Sequence, residues 1–173
     1  MDQLVQEKSE VTAEAAWPEP HPELRRLEPL LGRWTQRGQT RDGVLGPGVP
    51  YTSEEQFYWL EGGHFLVQTY NSKFGTEPAQ KGINYWYFDS DTKNFQIIFF
   101  SNNGPFTEEG NRYRGVIEKD RLTFTGPARF THRLDDSGRI AVSADGSIES
   151  QWSLRDENGE FRPWMDARLN PAD

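Results

Sequence analysis

From residue 33 onward the chain is cut at short, regular intervals by clusters rich in Asp, Asn and Gly: DGVLGPG, LEGG, DSDTKN, NNGPFTEEGN, EKD, DDSG, ADGS and DENGE. Such clusters close hairpins, because Gly and Asn tolerate the positive φ that tight turns demand. The intervening runs suit strands and are too short for helices: 33–41, 51–60, 64–73, 81–88, 95–102, 112–117, 122–124, 128–134, 147–154 and 161–169. Six Trp, six Tyr and eleven Phe favour the pleated, half-buried surfaces of a sheet. The pattern predicts an all-β fold, an antiparallel up-and-down meander of about ten strands. Closing that meander into a β-barrel removes its edges.

The N-terminal part reads differently. Residues 1–21 are acidic and poor in apolar groups, which predicts a flexible tail ahead of a single domain over 22–173. Trp17 is the tail's one large apolar residue, either folded back on a protein surface or left in solvent. In PELRRLEPLLGRW, Leu24, Leu27, Leu30 and Leu31 recur at helical spacing, and Pro22 suits a first helical position. Pro29 limits this to one or two turns, partly 3₁₀, and the helical period stops at Gly32.

Composition excludes several function classes. With no cysteine, disulfides, thiolate metal sites and cysteine nucleophiles are out. A formal net charge of −8 is the wrong sign for nucleic acid or an anionic membrane surface. No apolar run approaches a bilayer span, and MDQLVQEKSEVTAEAAWPEPHPE lacks a basic start and an apolar core. A cytoplasmic protein is expected.

A short helical turn followed by Gly32-Arg33-Trp34 at the first strand resembles the calycin group, the lipocalins and fatty-acid-binding proteins. That resemblance implies a helix plugging one barrel end, Gly32 allowing close passage beneath it, and Trp34 sealing the floor. It also implies a basic side chain over the indole, here Arg168 or Arg155. The segments LEPLLGRWT, WLEGGHFLVQTY, YFDSDTKNFQIIFFSNNG and FRPWMDARL, spread over 22–169, resemble a bacterial family of lipocalin-like proteins catalogued as a domain of unknown function. Haem-binding nitrobindin-like barrels use a histidine near the C-terminus, but FRPWMDARLN has none, so no cofactor is expected.

In a barrel alternate residues face the lumen. The expected ligand-binding residues are His64, Gln68, Trp86, Phe99, Tyr113, Phe124 and Trp152, an aromatic set with scattered polar groups suited to a small hydrophobic or aromatic molecule. His132 shares a face with Phe130 and Leu134, opposite the solvated Arg129, Thr131 and Arg133, and so points inward. There it is either a proton-transfer group with Tyr70 or a neutral core histidine bonded to a carbonyl. His64, after two glycines, is either a rim residue or a solvated turn histidine. His21, His64 and His132 lack metal-ligand spacing, so no metal site is expected. Of the adjacent Glu54 and Glu55 at most one faces inward, and Asp166 is expected buried against an arginine.

Three functions stay open: binding of a small hydrophobic or aromatic molecule in the lumen, a cofactor-independent enzyme of isomerase, cyclase or demethylase type, or a stress-related structural protein whose lumen is fully packed. Aromatics on both faces of several strands also predict a covered outer wall, by the tail or by a second subunit in a homo-oligomer.

Overall fold

The computed structural model describes residues 18–43, 45–104 and 111–172. A 3₁₀ helix, Pro22–Leu30, precedes ten strands: β1 Gly32–Thr40, β2 Pro50–Trp59, β3 Leu66–Phe74, β4 Gln80–Asp89, β5 Asn94–Ser101, β6 Arg112–Glu118, β7 Arg121–Thr125, β8 Ala128–Arg133, β9 Ile148–Arg155 and β10 Phe161–Pro171. Each expected strand is present within two residues at either end. All neighbours are antiparallel, and β1 pairs with both β2 and β10, so the barrel closes with no free edge. No described helix is long and apolar enough to cross a membrane.

The helix spans nine residues, longer than the one or two turns the prolines suggested. Leu24, Leu27 and Leu30 explain its geometry. They recur every third residue, and a 3₁₀ helix has three residues per turn, so all three align and are buried. His21 caps the start, its Nδ1 accepting from the Glu23 amide at 3.3 Å, while its ring stacks on Phe88 at 4.1 Å. Pro18–His21, assigned to the tail by composition, therefore contact the barrel; Trp17 lies outside the described residues. Pro29 has no N–H to donate to the Arg26 carbonyl three residues back. That carbonyl instead accepts from the Ile140 amide at 3.0 Å, which ties the helix to the β8–β9 connection.

The three leucines close one end of the barrel over Trp34, Phe57, Phe95, Leu122, Phe124 and Ile148. Trp34 points inward, as expected, and its Nε1 donates to the Leu30 carbonyl at 2.6 Å. Neither arginine covers it. Arg168 lies on the outer face of β10 near Asp145 and Glu149, at 3.4 and 3.8 Å, because Met165, Ala167 and Leu169 take the inner positions. Arg155 sits at the opposite end, over the Phe161 ring. The same parity corrects Asp166: it pairs with an arginine, Arg41, but in solvent. A register shift between Pro163 and Met165 precedes this run. Gly32 also has another reason than the one expected. A Cβ there would meet nothing within 4 Å, so its φ of +121° rather than close packing calls for glycine.

Candidate ligand-binding site

Above the packed floor the lumen opens into a cavity of about 990 Å³, running from Leu30 and Leu169 to the β1–β2, β3–β4 and β9–β10 ends. Its wall has two characters.

The polar side is carried by β2, β3 and β4. Glu55 faces Trp34 across one ladder and Tyr70 across the other, which puts its side chain in the lumen, 8% exposed. Glu54 points out. Gln68 Nε2 donates to Glu55 Oε2 at 2.8 Å. Gln68 Oε1 accepts from Asn84 Nδ2 at 2.7 Å and from Trp86 Nε1 at 3.0 Å. An indole N–H can only donate. Trp86 thus fixes which end of the Gln68 amide faces it, and Gln68 in turn orients Asn84 and offers its own NH₂ to Glu55. Asn84 Oδ1 is left buried without a partner. Ser53, Ser72 and Tyr51 continue the polar track, with Ser53 and Ser72 hydroxyls 2.8 Å apart and the Tyr51 hydroxyl 3.3 Å from Ser72.

Burial pushes the Glu55 carboxyl above the usual carboxylate range, only partly opposed by the bonds from Gln68 and Ser53. Among the described residues no lysine or arginine pairs with it. Burial likewise raises Tyr70, with Ser101 opposing, and pushes Tyr113 up to about 12. The Tyr70 hydroxyl lies against Gly82, where any Cβ would collide with it.

The other side is aromatic. Phe130 stacks on Trp152 at 4.6 Å, Tyr113 meets Phe130 edge-on at 5.5 Å, and Phe99 lies 5.3 Å from Tyr113. Trp152 Nε1 donates to Ser150 Oγ at 3.1 Å. Into this wall β8 sets His132, 4% exposed, its Nδ1 3.2 Å from the Glu149 carbonyl. A carbonyl only accepts, so Nδ1 carries the proton and Nε2 is the acceptor. Burial lowers its pKa to about 4, against the smaller opposing effect of that bond, so the ring is neutral near pH 7.

Seven of the expected residues line this one cavity: His132, Tyr70, Gln68, Trp86, Phe99, Tyr113 and Trp152. Phe124 does not. It is fully buried in the floor, 5.0 Å from Trp86 and 4.9 Å from Phe130. His64 is also elsewhere: positive φ at Gly62 and Gly63 holds it in the β2–β3 turn, where Nε2 meets the Pro18 carbonyl at 2.9 Å. It lies at the plugged end. Among the described residues no cluster of His, Asp and Glu could hold a metal. Glu55, Asn84 and Phe130 are among the lining residues to which the sequence assigned no role. The inward Trp34 carried the signal for Glu55, its direct cross-strand partner, but the long β1–β2 connection hid the register.

Residues 19–167 match a family described as Protein of unknown function (DUF1579). Among solved structures the chain is similar to Rv2717c from M. tuberculosis, with 16% identity and a TM-score of 0.55, over 90% of this chain and 100% of that one. It is also similar to the S-type phycobiliprotein lyase CPES from Guillardia theta, with 8% identity and a TM-score of 0.50, over 84% and 90%. At these identities the likeness is one of fold. No curated protein matches.

Proposed function

The chain belongs to the DUF1579 family, and we propose that it binds a small, flat, hydrophobic molecule inside a calycin-like barrel. The observation that carries this reading is the open lumen. A closed ten-stranded barrel whose core is complete at one end keeps about 990 Å³ unfilled at the other. That volume is of the size that holds one small ligand. Its lining is what an aromatic guest needs: aromatic side chains on β5, β6, β8 and β9, and hydrogen-bonding groups on β2–β4. One of the barrels sharing the fold is named as a lyase, which keeps catalysis in view without assigning it here.

The test is a fluorescence titration with a neutral polycyclic probe, 9-(hydroxymethyl)anthracene. Saturable one-to-one quenching of tryptophan emission is expected, since Trp86 and Trp152 line the cavity. No saturable binding by this or other planar probes would overturn the reading. A native mass spectrum of the freshly purified chain reports any co-purified ligand.

The same spectrum counts subunits. Self-association is part of the proposal, supported by the outer face beside β3–β5. There Phe65 lies against Tyr85 and Tyr87 at 6.4 and 5.7 Å, and Phe100 is 51% exposed. A monomer at micromolar concentration would remove it.

One observation favours a second reading, a cofactor-independent enzyme. His132 is neutral, and its Nε2 has no hydrogen-bond partner among the described residues. With Tyr70 on the same cavity it could take a proton from a bound substrate. His132→Ala would then lower turnover at least about 100-fold with binding retained; under the binding reading it shifts affinity modestly.

A further inference from the structure

Glu55 is hard to account for as a structural residue. It stands inside the lumen, 8% exposed, on the polar side beside Gln68 and across from the aromatic wall, and among the described residues no arginine or lysine pairs with it. Burying an unpaired carboxylate is costly, and a glutamine would fill the same space without the charge. Yet the wall is arranged to serve an acceptor at this position. Trp86 orients Gln68, and Gln68 donates its N–H to Glu55 Oε2. A donated hydrogen bond favours the ionised carboxyl, while burial without a counter-ion disfavours it. A cation supplied by the ligand resolves this conflict.

The rest of the lining agrees. Aromatic rings attract cations to their faces, and Phe99, Tyr113 and Trp152 line the same cavity. The positive groups are placed where they do not compete. Arg41 and Arg155 lie at the mouth, engaged with Asp166 and with Phe161, and His132 is neutral. An anionic guest would meet no counter-charge in the depth of the lumen.

Resting on the ligand-barrel reading, we propose that the molecule held in the lumen carries a basic nitrogen, bound as a cation between the Glu55 carboxylate and the aromatic wall. The class is a flat polycyclic or heteroaromatic amine that is protonated near neutral pH.

Three probes of one tricyclic outline test this on the full-length chain: cationic 9-aminoacridine, neutral 9-(hydroxymethyl)anthracene and anionic anthracene-9-carboxylate. Salt near 0.15 M screens the overall charge of −8. The expected order is cation, neutral, anion, with about tenfold or more between cation and neutral probe, a gap of about 1.4 kcal/mol. In Glu55→Gln the ratio of cation to neutral-probe affinity should fall to about one. Should that variant fail to fold, the three-probe order on the native chain decides alone. Equal affinities, or a cation preference that survives Glu55→Gln, overturn the inference and leave the ligand-barrel reading standing. If none of the three binds, both fall.

Discussion

Burial works against the charged form of both Glu55 and His132, with opposite sign. Burial raises the carboxyl and lowers the imidazole. Their effects on stability are therefore opposite in pH. Glu55 titrates higher in the fold than in the unfolded chain, so its contribution is fully favourable below the unfolded pKa. It is lost as pH rises through the raised value. Glu55→Gln, which keeps an acceptor for Gln68, should stabilise the empty protein by about 1–2 kcal/mol near pH 8. The gain should vanish near pH 4; a loss of stability at both pH values in urea unfolding would contradict this. His132 titrates at about 4 in the fold against 6.5 in the open chain. Its neutral form is favoured above 6.5, and that stability drains away as pH falls toward 4. From pH 7 to pH 5 it amounts to about 2 kcal/mol. His132→Gln, able to donate to the Glu149 carbonyl, should lack this part of the acid sensitivity. Equal slopes for the two proteins would show that His132 is not its source. Face assignment was legible for His132 from its solvated neighbours. It was not legible for His64, because two glycines in a row erase the strand parity.

Among the elements, the plug makes the clearest energetic claim. Leu27 is fully buried on the 3₁₀ helix, at the centre of the leucine row that closes the barrel. Leu27→Ala should cost about 3 kcal/mol, a cavity cost in a rigid layer. A cost below about 1 kcal/mol in chemical denaturation would mean that the plug is a loose cover. The strands were readable because turn chemistry is local: Asp, Asn and Gly announce a reversal wherever they cluster. The helix was readable in place but not in length. A leucine at every third position fits a short α-helical turn as well as a long 3₁₀ run, and only its packing against the barrel decides between them. Register was the least readable property. It follows from closure of the whole barrel, and across the β1–β2 connection nothing local places Trp34 opposite Glu55.

At the scale of the whole molecule the barrel is divided along its axis. Among the described residues the larger core cluster, of sixteen buried residues, runs from the plug up to the cavity wall at Trp86, Ile97 and Phe130, whereas the cluster at the open end comprises Tyr51, Met165 and Ala167 with partly buried aromatics around them. Strands that cross both halves are thus firmly packed at one end and border empty space at the other. Local opening is favoured where few apolar contacts must be broken. Amides of Phe95, Leu122, Phe124 and Ile148 should exchange with deuterium only through global unfolding. Those of Thr40, Gly75 and Gly126, at the mouth, should exchange through smaller openings at rates nearly independent of low denaturant. A ligand filling the lumen supplies the contacts that the mouth lacks, so saturation with a bound probe should slow the second group far more than the first. Uniform protection along every strand, with or without the probe, would mean that the open half is as firmly closed as the plugged one. Protection gained at the mouth alone would identify it as the half that ligand binding completes.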